Sequence, residues 1–366
     1  MGPEKRDGLE LSVLARERLR VLDGALARAP RRRDLTRGGE RDRNEAEATP
    51  SGSFSDAHVV ILPAPKDARQ RQMDIKKIGV LGAGQMGGGI AQVAAGASYE
   101  VVLVDANIDL AKRGKAKIES SLGRQVDKGK ITAAVRDALV ARITPGASTA
   151  DFKDCDLVVE AATENVALKL DLFKSCDAAM KAGAILSSNT SSISLTKLAG
   201  ATSRPERVIG MHFMNPPPLM KLVEIVRAMQ TSEETFALVK SAAERMGKTV
   251  TVSRDAPGFL VNRMLIPMLC EACFALQEGV GNVEDIDTGA RLGLNHPMGP
   301  LELSDLIGLD TVLAIAEVLH RDLGDDKYRA PTLLRNLVAA GWLGRKAGRG
   351  FYTYDANGGR TPSELR

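Results

Sequence analysis

The sequence predicts an α/β protein: a mostly parallel sheet with helices on both faces, followed by an all-helical C-terminal domain. Three observations predict it. A short apolar run, Ile78-Gly79-Val80-Leu81, leads into Gly82, Gly84 and Gly87 and then into a helical pattern. Apolar strand-like runs alternate with helical ones from Ile75 to about Val252. After Asp255-Ala256-Pro257-Gly258 the pattern turns helical throughout. Such alternation folds as a parallel sheet because each connection must cross a face of the sheet, and a helix is the usual crossover.

Residues 1–72 carry Arg31-Arg32-Arg33, Arg41-Asp42-Arg43 and Thr49-Pro50-Ser51-Gly52-Ser53, with too little apolar side chain to offset the entropy of ordering. Residues 11–26 could form a short amphipathic helix, while Glu4, Asp7, Glu10 and Glu17 argue against a transit peptide. We expect a disordered extension or a mis-assigned start, with Met73 as the true one. Residues 73–255 then form the sheet domain, with strands expected at 78–81, 101–105, 156–160, 184–187, 208–213, 222–226 and 249–252. Residues 256–355 form the helical domain, with helices beginning near Phe259, Val283, Leu301, Asp310 and Thr332, and 356–366 are a tail. The helical faces bearing Leu260, Leu265 and Leu269, or Leu313 and Val318, suit a core or a subunit interface, and a homodimer through this domain is the expectation.

Strand, glycine turn, helix, second strand and terminal acid follow in the order of a Rossmann-like dinucleotide-binding unit. Gly82 permits the tight turn, Gly84 lets a pyrophosphate approach the backbone, and Gly87 lets the helix pack on the strand. Asp105, 18 residues beyond Gly87 (87 to 105), can accept both hydroxyls of an adenine ribose. The cofactor-binding candidates of this unit are Gly82, Gly84, Gln85, Met86, Gly87 and Asp105. Ala106 and Asn107, not Arg or Lys, follow the acid, which favours NAD over NADP.

At 366 residues and 44% hydrophobic content the chain can bury the cores of about two domains. A net charge of +4 makes no case for nucleic acid. No apolar run reaches the roughly 18 residues of a membrane span, and no apolar signal core follows Met1, so a soluble, cytoplasmic protein is expected. Cys270 and Cys273 form a Cys-x-x-Cys pair within an apolar helical run with no second ligand pair nearby; like Cys155 and Cys176, they read as buried small hydrophobes, and no metal is expected.

In Arg207–Val226 two apolar strands flank a proline-rich connection, and each carries one ionisable residue, His212 or Glu224. A turn centred on Pro218 sets 212 opposite 224, each six residues away (218 − 212 and 224 − 218). Among large aliphatics each charge needs a partner, so the two should pair. A carboxylate on one ring nitrogen leaves the other free to take a proton from an alcohol. The other histidines fit less well: His58 lies in the extension, His296 reads as a turn residue, and His320 ends a charged helix turn.

With the blocks Glu160-Ala161-Ala162-Thr163-Glu164-Asn165, Ser188-Asn189-Thr190-Ser191-Ser192, His212-Phe213-Met214-Asn215-Pro216, Asp255-Ala256-Pro257-Gly258-Phe259 and His296-Pro297-Met298-Gly299-Pro300 added, the sequence resembles the L-3-hydroxyacyl-CoA dehydrogenases, most closely the short bacterial 3-hydroxybutyryl-CoA dehydrogenases. The resemblance spans essentially all of residues 73–354 and departs from the family in the first 72. It implies NAD-dependent oxidation of an L-3-hydroxyacyl-CoA, or the reverse reduction, with His212 as base and Glu224 as its partner. It further implies Ser191 and Asn262 as donors near the reacting oxygen, and Asn215 as a holder of the site's geometry. Glu164 and Lys169 would lie along the nicotinamide half of the cofactor with Ser191. Ser121 and Lys128 would contact the adenine and phosphate portions of coenzyme A. Two rivals are a dehydrogenase of a small free hydroxy acid and a dinucleotide-binding protein without catalysis.

Overall fold

The structure, a computed structural model, describes residues 74–364. The helix expected within 11–26 and the expected start at Met73 lie outside the described residues. The first part runs β1 (Lys77–Leu81), α1 (Gln85–Gly96), β2 (Glu100–Val104), α2 (Ile108–Asp127), α3 (Ala133–Ala141), β3 (Ile143–Gly146), β4 (Leu157–Glu160), α4 (Val166–Ala179), β5 (Ile185–Ser188), α5 (Leu195–Ala199), β6 (Val208–Phe213), β7 (Leu222–Arg227), α6 (Glu233–Arg245) and β8 (Thr249–Arg254). These strands form one sheet in the order β3-β2-β1-β4-β5-β6-β7-β8. Neighbours from β3 to β6 are parallel, β7 runs against β6, and β8 is parallel to β7. Strand order reverses between β1 and β4, and in open α/β sheets ligands bind at the carboxyl ends flanking such a point.

Every expected strand is present within two residues, and β3 is additional. It holds only Ile-Thr-Pro-Gly, and its proline is tolerated because the strand lies at the sheet edge. Apolar layers cover both faces, as the two-residue period requires. On β6 and β7, Ile209, Met211, Phe213, Val223 and Ile225 join the layer under α1 and α6. Val208 and Val226 join the opposite layer with Phe173, Leu195 and Phe259. His212 and Glu224 share the parity of this second set.

The remainder is helical: α7 (Val261–Gln277), α8 (Val283–Thr288), α9 (Pro300–Ile307), α10 (Leu309–Leu323) and α11 (Thr332–Ala339), around a core that includes Ile266, Leu301, Val312 and Leu337. A small antiparallel hairpin, β9 (Tyr352–Tyr354) and β10 (Arg360–Pro362), is appended, so part of the expected tail is a strand. Buried Asp305 anchors the hairpin by accepting the backbone N–H groups of Phe351 and Tyr352 and the Tyr354 hydroxyl. Among the described residues no helix is long and apolar enough to cross a membrane.

All four cysteines are buried and free. Burial pushes the thiols of Cys155, Cys176 and Cys273 up to about 12 and that of Cys270 to about 11. The thiolate is the reactive form, so the native protein at pH 8 should leave a disulfide reagent such as DTNB unreduced, and unfolding in guanidinium should release all four thiols. Rapid reaction of any one in the native state would contradict this packing.

Candidate active site

The glycine turn connects β1 to α1. Gly82 holds φ +104°, and a Cβ there would stand 2.7 Å from the Ala161 carbonyl oxygen. At Gly87 a Cβ would fall 1.8 Å from the carbonyl oxygen of Gly82, so only glycine lets helix and turn approach this closely. Around Gly84 the space is open, with nothing within 4 Å of a Cβ. No side chain caps the N-terminus of α1, so its first N–H groups remain available to an anion. These features fit the pyrophosphate of a dinucleotide. Asp105, one residue past β2, accepts the N–H of Ala83 at 2.6 Å and of Ala106 at 2.7 Å and so braces the turn. Gln85 Nε2 donates to Asn215 Oδ1 at 3.0 Å, joining the turn to the β6–β7 connection.

The antiparallel register of β6 and β7 sets His212 directly opposite Glu224. His212 Nδ1 lies 3.0 Å from Glu224 Oε2, and its Nε2 lies 3.2 Å from Ser191 Oγ. His212 is only 6% exposed and Glu224 is fully buried. The other Glu224 oxygen accepts the backbone N–H groups of Leu260 and Val261, where α7 begins. A turn with Gly258 at φ +75° and Phe259 at φ +49° delivers those groups. Left-handed backbone at a bulky residue costs about 1–2 kcal/mol, a strain retained here where the chain meets the site. The Phe259 ring meets His212 edge-on at 5.7 Å. Glu224 is thus satisfied on both oxygens, by imidazole and by a helix N-terminus.

Ser191 follows β5, and its backbone N–H donates to Glu164 Oε1 at 3.2 Å, while Thr190 Oγ1 donates to the other oxygen of Glu164 at 2.7 Å. Glu164, Ser191, His212 and Glu224 therefore form one hydrogen-bonded chain. Asn262 sits in the first turn of α7, buried, and among the described residues its side chain has no hydrogen-bond partner. Lys169 is placed differently from an open cofactor contact: it is 1% exposed on α4 and pairs with Glu160 at the end of β4, with Ser188 Oγ at 3.4 Å. Ser121 is half-buried on α2 and Lys128 is the exposed residue that ends that helix; neither bonds to the His212 group. Sequence reasoning missed the helix end that holds Glu224, the Phe259 contact and the Glu160–Lys169 pair. A charged residue closing the apolar run Leu157-Val158-Val159 was the available signal for the last.

The family profile described as 3-hydroxyacyl-CoA dehydrogenase, NAD binding domain, matches residues 77–256, and the profile of the C-terminal domain of the same family matches residues 258–354. The chain belongs to the 3-hydroxyacyl-CoA dehydrogenase family. It is accordingly an enzyme, an NAD-dependent oxidoreductase. Among its 3-hydroxyacyl-CoA dehydrogenase relatives, a probable 3-hydroxybutyryl-CoA dehydrogenase of Deinococcus radiodurans is 56% identical over 278 residues, covering 76% of this chain and 100% of the relative. The 3-hydroxybutyryl-CoA dehydrogenase of Bradyrhizobium diazoefficiens is 54% identical over 280 residues, covering 76% of this chain and 96% of the relative. The crystal structure of (S)-3-hydroxybutyryl-CoA dehydrogenase from Ralstonia eutropha is similar with a TM-score of 0.75 and 49% identity, covering 77% of this chain and 100% of that one.

Proposed function

We propose that the protein interconverts a short L-3-hydroxyacyl-CoA, with 3-hydroxybutyryl-CoA as the leading candidate, and its 3-ketoacyl-CoA, using NAD. The observation that carries this reading is the single imidazole held between Glu224 and Ser191, 3.0 and 3.2 Å away. Glu224 on Nδ1 keeps the proton there and leaves the Nε2 lone pair facing Ser191. His212 takes the 3-hydroxyl proton at Nε2 and becomes an imidazolium, whose charge Glu224 offsets across the shared hydrogen bond. The bound nicotinamide supplies the hydride acceptor. Ser191 Oγ and the otherwise unpartnered amide of Asn262 orient the 3-oxygen or the thioester carbonyl. Glu164 pins the Ser191 backbone, and Asn215 ties the site to the glycine turn through Gln85. In reduction the same groups act in reverse.

The test is steady-state reduction of acetoacetyl-CoA and of longer 3-ketoacyl-CoA thioesters with NADH and NADPH in turn. We expect the shortest thioester to be preferred, with NADPH poorer by about 100-fold because a 2′-phosphate would meet the Asp105 carboxylate. Reduction of free 3-keto acids at a comparable rate would overturn the assignment. The exposed Leu260 just before α7, Met264 on α7 and Leu306 on α9 support a homodimer through the helical region. Sedimentation equilibrium giving a monomer mass at micromolar concentration would remove that part.

A further inference from the structure

Leu333, Asn336 and Leu337 share one face of α11, at the i, i+3, i+4 spacing that makes neighbours on a helix. With Trp342, Arg349 and Glu364 they line a pocket of about 450 Å³ to which His212, Ser191, Glu224 and Asn262 contribute nothing. The chain between α11 and β9 builds its other wall. Trp342 N–H donates to the Leu337 carbonyl oxygen at 3.0 Å, and Gly344 N–H donates to the Arg349 carbonyl oxygen at 2.8 Å. Gly344 holds φ +85°, and a Cβ there would stand 2.3 Å from the Asp305 carbonyl oxygen, so this segment is seated closely on α9. The Arg349 guanidinium lies 3.6 Å from the centre of the Trp342 ring.

Among the described residues Arg349 is the one cation lining the pocket, its Nε is buried with no hydrogen-bond partner, and no carboxylate pairs with it. A structural arginine spends its donors on the fold, as Arg204 does on the Asp177 carboxylate and on the Asp177 and Lys181 carbonyl oxygens. Arg349 does not. Stacking on the indole fixes the guanidinium plane and leaves its N–H edge for a carboxylate, which it matches with two parallel hydrogen bonds. Turning about its axis on the indole face brings the Nε edge to a ligand without loss of the stack. Leu333 and Leu337 offer that ligand an apolar wall, and the volume suits a small organic molecule. Phosphate fits less well, because no second cation is present to share its charge. We propose that the pocket binds an aliphatic monocarboxylate, its carboxylate on Arg349 and its tail against Leu333 and Leu337. Glu364, exposed and the one acid among the lining residues, opposes such a ligand by charge.

Trp342 is the only tryptophan of the chain, so intrinsic tryptophan emission reads this pocket directly. Octanoate added to the cofactor-free protein should change that emission saturably, with half-saturation below about 1 mM. Octanamide, the same tail without charge, and inorganic phosphate, charge without a tail, should each bind at least about 10-fold more weakly. Arg349→Gln should weaken octanoate about 10–100-fold and bring it level with octanamide, and Arg349→Lys should recover only part of that loss, because it restores the charge without the fork. Glu364→Gln should tighten octanoate about two- to fivefold. Calorimetric titration of the same variants gives the affinities independently of any change in the emission itself, and NADH affinity within about twofold of wild type shows that the fold is intact. No saturable response to octanoate, or equal affinity for octanoate and octanamide, overturns the proposal. So does octanoate binding that survives Arg349→Gln unchanged, or phosphate binding as tight as that of octanoate.

Discussion

Replacing His212 with Gln is expected to lower kcat for acetoacetyl-CoA reduction by about 10²–10⁴-fold, the usual worth of a positioned general acid or base. Gln retains hydrogen-bonding capacity toward Glu224 and Ser191 but has no group that exchanges a proton near neutral pH. NADH affinity should stay within about twofold, because the glycine turn and Asp105 do not involve the imidazole. Fluorescence titration with NADH beside a turnover assay separates the two effects. Glu224→Gln should cost less, about 10–100-fold in kcat, since the ring keeps an acceptor while the imidazolium loses its counter-charge. Unchanged turnover in the His212 variant would remove the proton-transfer role, and parallel loss of NADH binding would point to misfolding instead.

The His212–Glu224 meeting was legible because it depends on local counting. Phe213 pairs with Val223 and His212 with Glu224, so each pair is centred on position 218, as a hairpin requires. The glycine turn was legible for a similar reason: its three positions serve backbone shape within one βαβ unit, and Gly82, Gly84 and Gly87 each meet the steric condition assigned to them. β3 was not legible, since four residues containing Pro and Gly read as a turn until a neighbouring strand supplies its partners. Nor were the Leu260 and Val261 N–H groups on Glu224. They come from 36 and 37 residues further along the chain, and no local pattern announces that a helix will begin against a buried carboxylate. The environment of Lys169 was hidden in the same way, because a lysine on a helix reads as solvated until the opposing strand end is known to carry Glu160.

That pair should dominate the stability of the sheet's ligand-binding edge. Lys169 and Glu160 are 1% and 0% exposed. Glu160 Oε1 also accepts the Ala162 N–H at 2.9 Å, and its Oε2 accepts the Ser188 hydroxyl at 2.8 Å. Desolvating two such charges consumes most of what their attraction returns, so the intact pair adds little net stability, whereas removing one partner strands the other. Lys169→Met should therefore lower unfolding free energy by about 3–5 kcal/mol, read from urea midpoints of the cofactor-free protein. Lys169→Met combined with Glu160→Gln should regain most of that loss, because the amide keeps partners in Ala162 and Ser188 without a buried charge. A single variant within about 1 kcal/mol of wild type would mean that water reaches the pair in solution. A double variant as unstable as the single would locate the cost in lost packing of the lysine stem, not in the stranded carboxylate.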